Sequence, residues 1–352
     1  MRYYTGDDAH KKYSIFITID ETGKLGRPVR VGHDKEGYRS FLHTLPAGSP
    51  VAIEVTGNWY WMIDEMEKAG LEPSLVHAGK AKAMMGGINK TDKLDAAGLA
   101  ILSLNGTLPT VWIPPGELRD QRELPRMRMV LSSIRTKFKN RIHATFAKYG
   151  ITFEETSDLF GKIGREILEN RLDELPPETR RSVEEQLKLL DEVQQSISAA
   201  EKRILEIVKE DPTMRLLKTI PGIGTILAIV IALEVGDIER FPGGEHFASY
   251  AGKVPRINSS GGKTYYGKVR PDVNRYLKWA FTEAANAIVL QQEHLAGRHV
   301  INLYNKVRRH KGHAKAITAV GRHLAEATYG MLKNNEPYRE PRQRNQVCVS
   351  YS

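Results

Sequence analysis

Four acids have the type and setting to do chemistry. Asp8 lies in YYTGDDAHKK, just ahead of the strand-like run YSIFITI. Glu54 sits inside PVAIEVTG, an otherwise apolar stretch of strand composition. A carboxylate there is costly unless it is paired, hydrogen-bonded or bound to a metal. Asp92 and Asp95 lie in NKTDKLDAAGLA, three apart at the start of a helical pattern, so a helix aims both to one side. Hard oxygen ligands drawn from separate elements are what Mg²⁺ sites use. Two such ions about 4 Å apart can hold the attacking and leaving oxygens of a phosphodiester.

Each acid also has a plain structural explanation. Asp92 follows a threonine and can favour a helix N-terminus. Asp8 can be a turn residue, and Glu54 can pair with a lysine. Glu54 fits its plain explanation least well.

A second stretch, NSSGGKTYYGKVRP (258–271), reads as a Gly-rich basic loop. Gly261 and Gly262 let backbone approach a phosphate closely, and Lys263 and Lys268 add positive charge. A serine there attacks a phosphodiester if its proton is removed or its alkoxide is stabilised. No histidine close in sequence offers itself as the base. A flexible polar loop is the plain alternative.

These residues need elements to hold them. Over residues 1–110, strand patterns (13–20, 50–55, 73–78) alternate with helical ones (36–45, 61–70, 91–104), which predicts an α/β arrangement with helices covering a sheet. From Arg119 to Lys148 there are nine Lys/Arg and two acids. Pro125 suits the first turn of a long helix there. Met129, Ile134, Phe138, Ile142 and Phe146 would form its packed face, with Arg135, Lys139 and Arg141 turned outward to nucleic acid or to solvent. Over 178–210, Leu190, Val193, Ile197, Ala200, Ile204 and Ile207 alternate three and four apart. That seam predicts a coiled coil between protomers or an antiparallel hairpin within one. PGIG (221–224) opens an apolar helix. It resembles either a phosphate-binding helix-hairpin-helix turn or a simple connection. His294 to Ala325 holds seven Lys/Arg and no acids. Arg308, Arg309 and Lys311 at its centre are candidates for phosphate contacts. His310 and His313 have ligand-like spacing but no evident third ligand, so zinc is disfavoured.

Composition narrows the classes. The chain has 352 residues and a formal net charge of +10, which points to a polyanionic partner such as nucleic acid. Its one cysteine, Cys348, excludes a disulfide framework or a cysteine-based zinc site within one chain. The N-terminus has no apolar signal core, and the most apolar run, 226–235, is about half a bilayer span. A cytoplasmic protein with no membrane association is expected.

Taken together, GDDAHKK, AIEVTGNWYW, NKTDKLDAAGLA and VPRINSSGGK resemble, in order and rough spacing, the motifs of the IS110/IS1111 transposases. GKVRPDVNRYLKWAFTEAA fits the same pattern, and the similarity covers most of residues 1–335. The resemblance implies a RuvC-like (RNase H-type) α/β N-terminal domain with its basic helix (1–150), a helical coiled-coil segment (151–210), a mainly α C-terminal transposase domain with a serine loop (211–335) and a polar tail (336–352). It implies a metal-binding Asp-Glu-Asp-Asp tetrad at Asp8, Glu54, Asp92 and Asp95, with Mg²⁺ as the cofactor. The family usually has an apolar residue where this chain has Asp7; Asp8 keeps the family's offset from Lys11. It implies a nucleophilic serine before a glycine, Ser260, with Ser259 as the alternative. It further implies double-stranded DNA partners (donor and target), a structured noncoding guide RNA and a homo-oligomer, dimer or tetramer. A metal-dependent nuclease or junction resolvase, and a non-catalytic nucleic-acid-binding protein, are the competing readings.

Overall fold

A computed structural model of the chain describes residues 2–86 and 91–341. Asn89 and Lys90 of the NKTDKLDAAGLA motif, Cys348 and most of the polar tail lie outside the described residues. The chain forms two compact units that divide between Gly116 and Glu117.

The first unit is α/β. Its elements are β1 (Tyr3–Ala9), β2 (Tyr13–Asp20), β3 (Val29–Gly32), α1 (Lys35–Leu42), β4 (Pro50–Glu54), α2 (Trp59–Lys68), β5 (Glu72–Val76), α3 (Ala78–Met85), α4 (Asp92–Leu104) and β6 (Thr110–Val111). They build one six-stranded mixed sheet in the order β3-β2-β1-β4-β5-β6. β1, β4 and β5 run parallel, while β2, β3 and β6 pair antiparallel with their neighbours.

Asp8 therefore lies inside a strand and not ahead of one. Two adjacent aspartates hide the apolar alternation of β1, and pairing with β2 makes the strand. One sheet face packs Phe16, Val51 and Ile53 against Tyr38, Leu42, Met62 and Met66 of α1 and α2. The other face meets α4, and Gly6 decides how closely: a Cβ there would lie 2.0 Å from the Ala96 carbonyl oxygen. Only a residue without a side chain lets the helix backbone settle on β1 at this point.

The second unit is helical apart from one hairpin. It contains α5 (Gly116–Gln121), α6 (Glu123–Lys148), α7 (Lys162–Asn170), α8 (Pro177–Ile207), α9 (Pro212–Leu217), α10 (Thr225–Val235), α11 (Gly244–Tyr250), β7 (Pro255–Ser260), β8 (Lys263–Val269), α12 (Arg275–Leu290), α13 (His299–Lys311) and α14 (His313–Asn334). Pro125 falls in the first turn of α6. The core of the unit gathers Val230, Phe247, Phe281, Tyr304 and Val320 from α10 to α14.

The 190–207 seam is filled from within the chain. α6 and α8 run antiparallel, as contacts of Arg128 with Glu201, Arg135 with Gln194 and Tyr149 with Thr179 require. Val183, Leu187 and Leu190 pack with Ile142 and Phe146 of α6, and Ile204 packs with Met214 and Ile229. A coiled coil between protomers is not needed to bury it. PGIG joins α9 to α10. Pro221 and Gly222 precede α10 instead of opening it, and a Cβ on Gly222 would lie 2.3 Å from the Ala284 carbonyl oxygen of α12. No helix among the described residues is long and apolar enough to cross a membrane.

Candidate metal centre and serine hairpin

The sheet's pleat sorts the N-terminal acids. Successive residues on a strand face opposite sides. Asp7 shares its face with Ile53, its partner across β4, and points toward α1. There it is fully buried, and Tyr38 donates its hydroxyl hydrogen to Asp7 Oδ2 at 3.0 Å. Burial pushes the Asp7 carboxyl up to about 7, against lowering hydrogen bonds from Ser14 and Tyr38, with the Asp8 charge adding to the rise. Asp8 takes the alternate face, the one Gly6 presents to α4.

At that face Asp8 meets Asp92. Asp92 is the first residue of α4, whose N-cap is Thr91; the threonine hydroxyl accepts from the Leu94 N–H. The helix start thus both uses Asp92's charge and aims it. His10, in the β1–β2 turn, places Nε2 3.2 Å from Asp8 Oδ2 and 3.0 Å from Asp92 Oδ2. Tyr13 donates to Asp92 Oδ2 at 3.2 Å and stacks near His10. The guanidinium of Arg30 lies 4.0 Å from the Tyr13 ring centre. Asp8, His10 and Asp92 each offer one ligand atom, and the three atoms lie within 4.8 Å of one another. Two carboxylate oxygens and an imidazole nitrogen from β1, a turn and α4 are a donor set that fits a divalent cation.

Glu54 and Asp95 stand further out. Glu54 ends β4, half-buried, one residue beyond the Asp7–Ile53 pair, so the pleat puts it on the same face as Asp8. Asp95 is one turn along α4 and lines a cleft with Lys82, Met85 and Leu94. Neither belongs to the three-atom cluster found among the described residues. Asp92 makes the contact with His10. Sequence reasoning missed His10; its signal was a histidine two residues past an aspartate at a strand turn.

The glycine-rich loop is a hairpin. Gly261 (φ +56°) and Gly262 (φ +76°) form its two-residue turn, a conformation other residues resist. Ser260 pairs with Lys263 and Ser259 with Thr264. The alternation puts Ser260 on one face with Tyr265, and Ser259 on the other with Ile257 and Tyr266. Both serines, both tyrosines, Lys263 and Lys268 are exposed. The hairpin's root is fixed by Lys253, which is buried and donates to Thr282 Oγ1 at 2.6 Å. Burial brings the Lys253 ammonium down to about 8, helped by Lys278.

The expected phosphate-contacting residues are distributed over the second unit. Arg135 donates to Gln194, and Lys139 sits over the Phe160 ring. Arg141, Arg308, Arg309 and Lys311 are exposed. His313 does not join His310 at a metal: its Nδ1 lies 2.8 Å from the hydroxyl of Tyr304, a core residue.

Sequence comparison gives this geometry a family. A DEDD-type IS110 transposase model spans residues 5–151, and a second model, described as transposase IS116/IS110/IS902 family, spans residues 214–299. The chain belongs to the IS110 family of transposases. Members similar to it include the transposase for insertion sequence element IS1111A of Coxiella burnetii, 25% identical over 95% of this chain and 90% of that protein. Another is the transposase for IS1328 of Yersinia enterocolitica, 25% identical over 73% of this chain and 76% of that one. An uncharacterized IS110 protein of Streptomyces coelicolor is 31% identical over 42% of this chain. This IS110-family chain is therefore a DNA transposase or recombinase. Its first unit, with a mixed sheet and a DEDD-type match, is consistent with a RuvC-like α/β region. The match suggests divalent-metal use, and the Asp8–His10–Asp92 cluster is a possible site for the ion.

Proposed function

We propose that this transposase cuts and rejoins DNA by serine attack, with specificity written by a structured guide RNA. The observation that carries the reading is the convergence of Asp8 and Asp92 from β1 and α4 in a chain of this family. Asp8, Asp92, Glu54 and Asp95 hold Mg²⁺ in this scheme, with His10 beside them. When bound, the ion neutralises charge on the scissile phosphate and favours the serine alkoxide.

The chain's own residues do the rest. Ser260 Oγ attacks phosphorus; the Oγ–P bond forms, one P–O bond to a sugar oxygen breaks, and that oxygen leaves with a proton. A sugar hydroxyl of the partner strand then attacks the phosphoserine, which restores the serine hydroxyl and rejoins DNA. Each exchange replaces one phosphodiester by another, so no hydrolysis is required. Exposure of Ser260 at a hairpin tip, with Lys263 beside it, supports its role as the attacking group. Arg135, Lys139, Arg141, Lys268, Arg308, Arg309 and Lys311 neutralise phosphates. Two duplexes must be held together, so protomers assemble as a dimer or tetramer. Base pairing by the RNA to donor and target DNA supplies sequence choice, as in other guided systems.

The test is covalent trapping. The protein, copurified with its RNA, is incubated with donor and target DNA and Mg²⁺, then denatured and resolved by size. A protein–DNA adduct that vanishes in Ser260→Ala and in Asp8→Ala is the expected result. Normal cleavage by Ser260→Ala with no adduct would establish a metal-dependent nuclease instead. Absence of any discrete RNA in the purified protein would remove the guided part.

A further inference from the structure

A cleft of about 480 Å³ opens between α6 and α12, within the helical unit. Arg128, Ser132 and Arg135 line it at helical spacing from one side, and Arg275, Trp279 and Glu283, each four apart, from the other. Lys137 lines it as well. Spacing of three and four puts each set on one face of its helix, so the cleft is built by two facing stripes.

Its chemistry is mixed in a particular way. Arg128 is held by Glu201 at 2.6 Å, and its guanidinium lies 5.7 Å from the Trp279 ring centre. Arg135 and Arg275 hydrogen-bond neutral partners, Gln194 Oε1 and the Tyr276 hydroxyl, so these contacts leave their charge uncancelled. With Lys137 there are three such cations against the single carboxylate of Glu283. Ser132 is 9% exposed, and its Oγ has no hydrogen-bond partner among the described residues. That hydroxyl is sealed beneath the cleft floor, so the cleft's exposed chemistry is its cations and the Trp279 ring.

We propose that this cleft takes one unstacked nucleotide of a single-stranded nucleic acid. The backbone phosphate meets Arg135, Lys137 and Arg275, and the base lies against Trp279. The volume suits a small-molecule-sized group. A duplex keeps its bases stacked inside and cannot offer one to a tryptophan, whereas single strands bind by base–aromatic stacking within a basic groove. The unpaired nucleotide comes from the RNA or from a DNA strand opened during exchange. The proposal rests on the nucleic-acid reading above, but it involves neither Ser260 nor the acidic cluster.

The experiment uses the full-length protein and fluorescent oligo(U) RNA and oligo(dT) DNA of about twelve nucleotides, a length within usual single-strand sites. Anisotropy is measured across a salt series for wild type, Arg275→Glu, Lys137→Glu and Trp279→Phe. A 5-bromouridine version of each oligonucleotide is photo-crosslinked and the adduct is mapped by mass spectrometry. The two charge reversals are expected to weaken binding at least about tenfold and to shrink the salt slope by about 0.7 per lost phosphate contact. The crosslink is expected on the peptide carrying Trp279, and to be lost in Trp279→Phe with the fold intact by circular dichroism. Binding of RNA alone, or of DNA alone, names the source. Wild-type affinity in both charge reversals, crosslinks confined to other peptides, or equal competition by inorganic phosphate would overturn the nucleotide site. The Ser260 adduct assay is independent of these outcomes, so failure here is distinguishable from failure of the recombinase reading.

Discussion

Asp7 and Asp8 are neighbours in sequence and face opposite sides of the sheet. Asp7 is sealed against Tyr38, while Asp8 reaches the α4 side and lies close to His10. The consequence is a division of labour between two adjacent carboxyls: one is a buried acid, the other a half-buried ligand candidate facing α4.

The buried acid has a measurable signature in stability. Its carboxyl is raised from 3.8 to about 7, so between those values the folded chain keeps a proton that the unfolded chain releases. The stabilising contribution of the protonated form is full below about pH 4 and is lost as pH rises to 7. Asp7→Asn removes the ionisation. The variant is expected to be more stable than wild type above pH 7, by about 2–4 kcal/mol, and nearly level with it at pH 4. Thermal unfolding at both pH values checks this; an equal difference at the two would contradict the assignment.

Gly6 sets the distance between β1 and the helix that carries Asp92. A methyl at this position meets backbone, which cannot swing aside. Gly6→Ala is expected to destabilise the α/β unit by about 1–3 kcal/mol and to lower divalent-metal affinity by moving α4 outward. Gly57, where a Cβ meets nothing within 4 Å, is the control: Gly57→Ala should leave both nearly unchanged. Calorimetric unfolding with and without Mn²⁺ reads both effects.

Much of the first unit was legible from the sequence. Strand composition at 13–20 and 50–55, and the helix at 91–104, follow from side-chain pattern, and the structure has β2, β4 and α4 there. β1 was hidden because its alternation is carried by Thr5, Gly6 and two aspartates instead of apolar residues. His10 was hidden because its two partners come from elements far apart in sequence. The hairpin at 255–269 reads as a loop in sequence because both its faces are exposed, which removes the usual one-sided signal. The 190–207 seam gave the helix and its buried stripe, but not the partner, since a heptad pattern is the same whether α6 or another protomer fills it.

Glu234 is a buried node that sequence pattern does not reveal. It is 2% exposed and accepts from Arg126 at 2.7 Å and from Asn274 at 2.8 Å; Arg126 lies on α6, and Asn274 caps α12. Removing one member of a buried charged group leaves the others unpaired, which costs about 3–5 kcal/mol. Glu234→Ala is expected to lose stability on that scale. Glu234→Gln should lose less, because an amide oxygen still accepts from Asn274. Hydrogen exchange should show the loss concentrated in α6, α10 and the start of α12; a loss spread evenly over both units would count against the node.

His10 offers the last and sharpest distinction. Its imidazole lies beside both Asp8 and Asp92, and it is either a third ligand for a bound ion or only a spacer that pairs with the two carboxylates when charged. A nitrogen donor adds more to the binding of a first-row transition ion, even Mn²⁺ at the weak end of that series, than to that of Mg²⁺. If His10 ligates, His10→Ala should weaken Mn²⁺ binding to the full-length protein about tenfold or more, while Mg²⁺ binding falls much less. If it only spaces the carboxylates, removing it should leave Mn²⁺ affinity level or raise it, since nothing then competes for Asp8 and Asp92. We expect the first outcome, because three ligand atoms already sit within 4.8 Å of one another. Isothermal titration with each ion separates the cases. An electron paramagnetic resonance spectrum of bound Mn²⁺, with or without nitrogen coupling, identifies the ligand independently of activity.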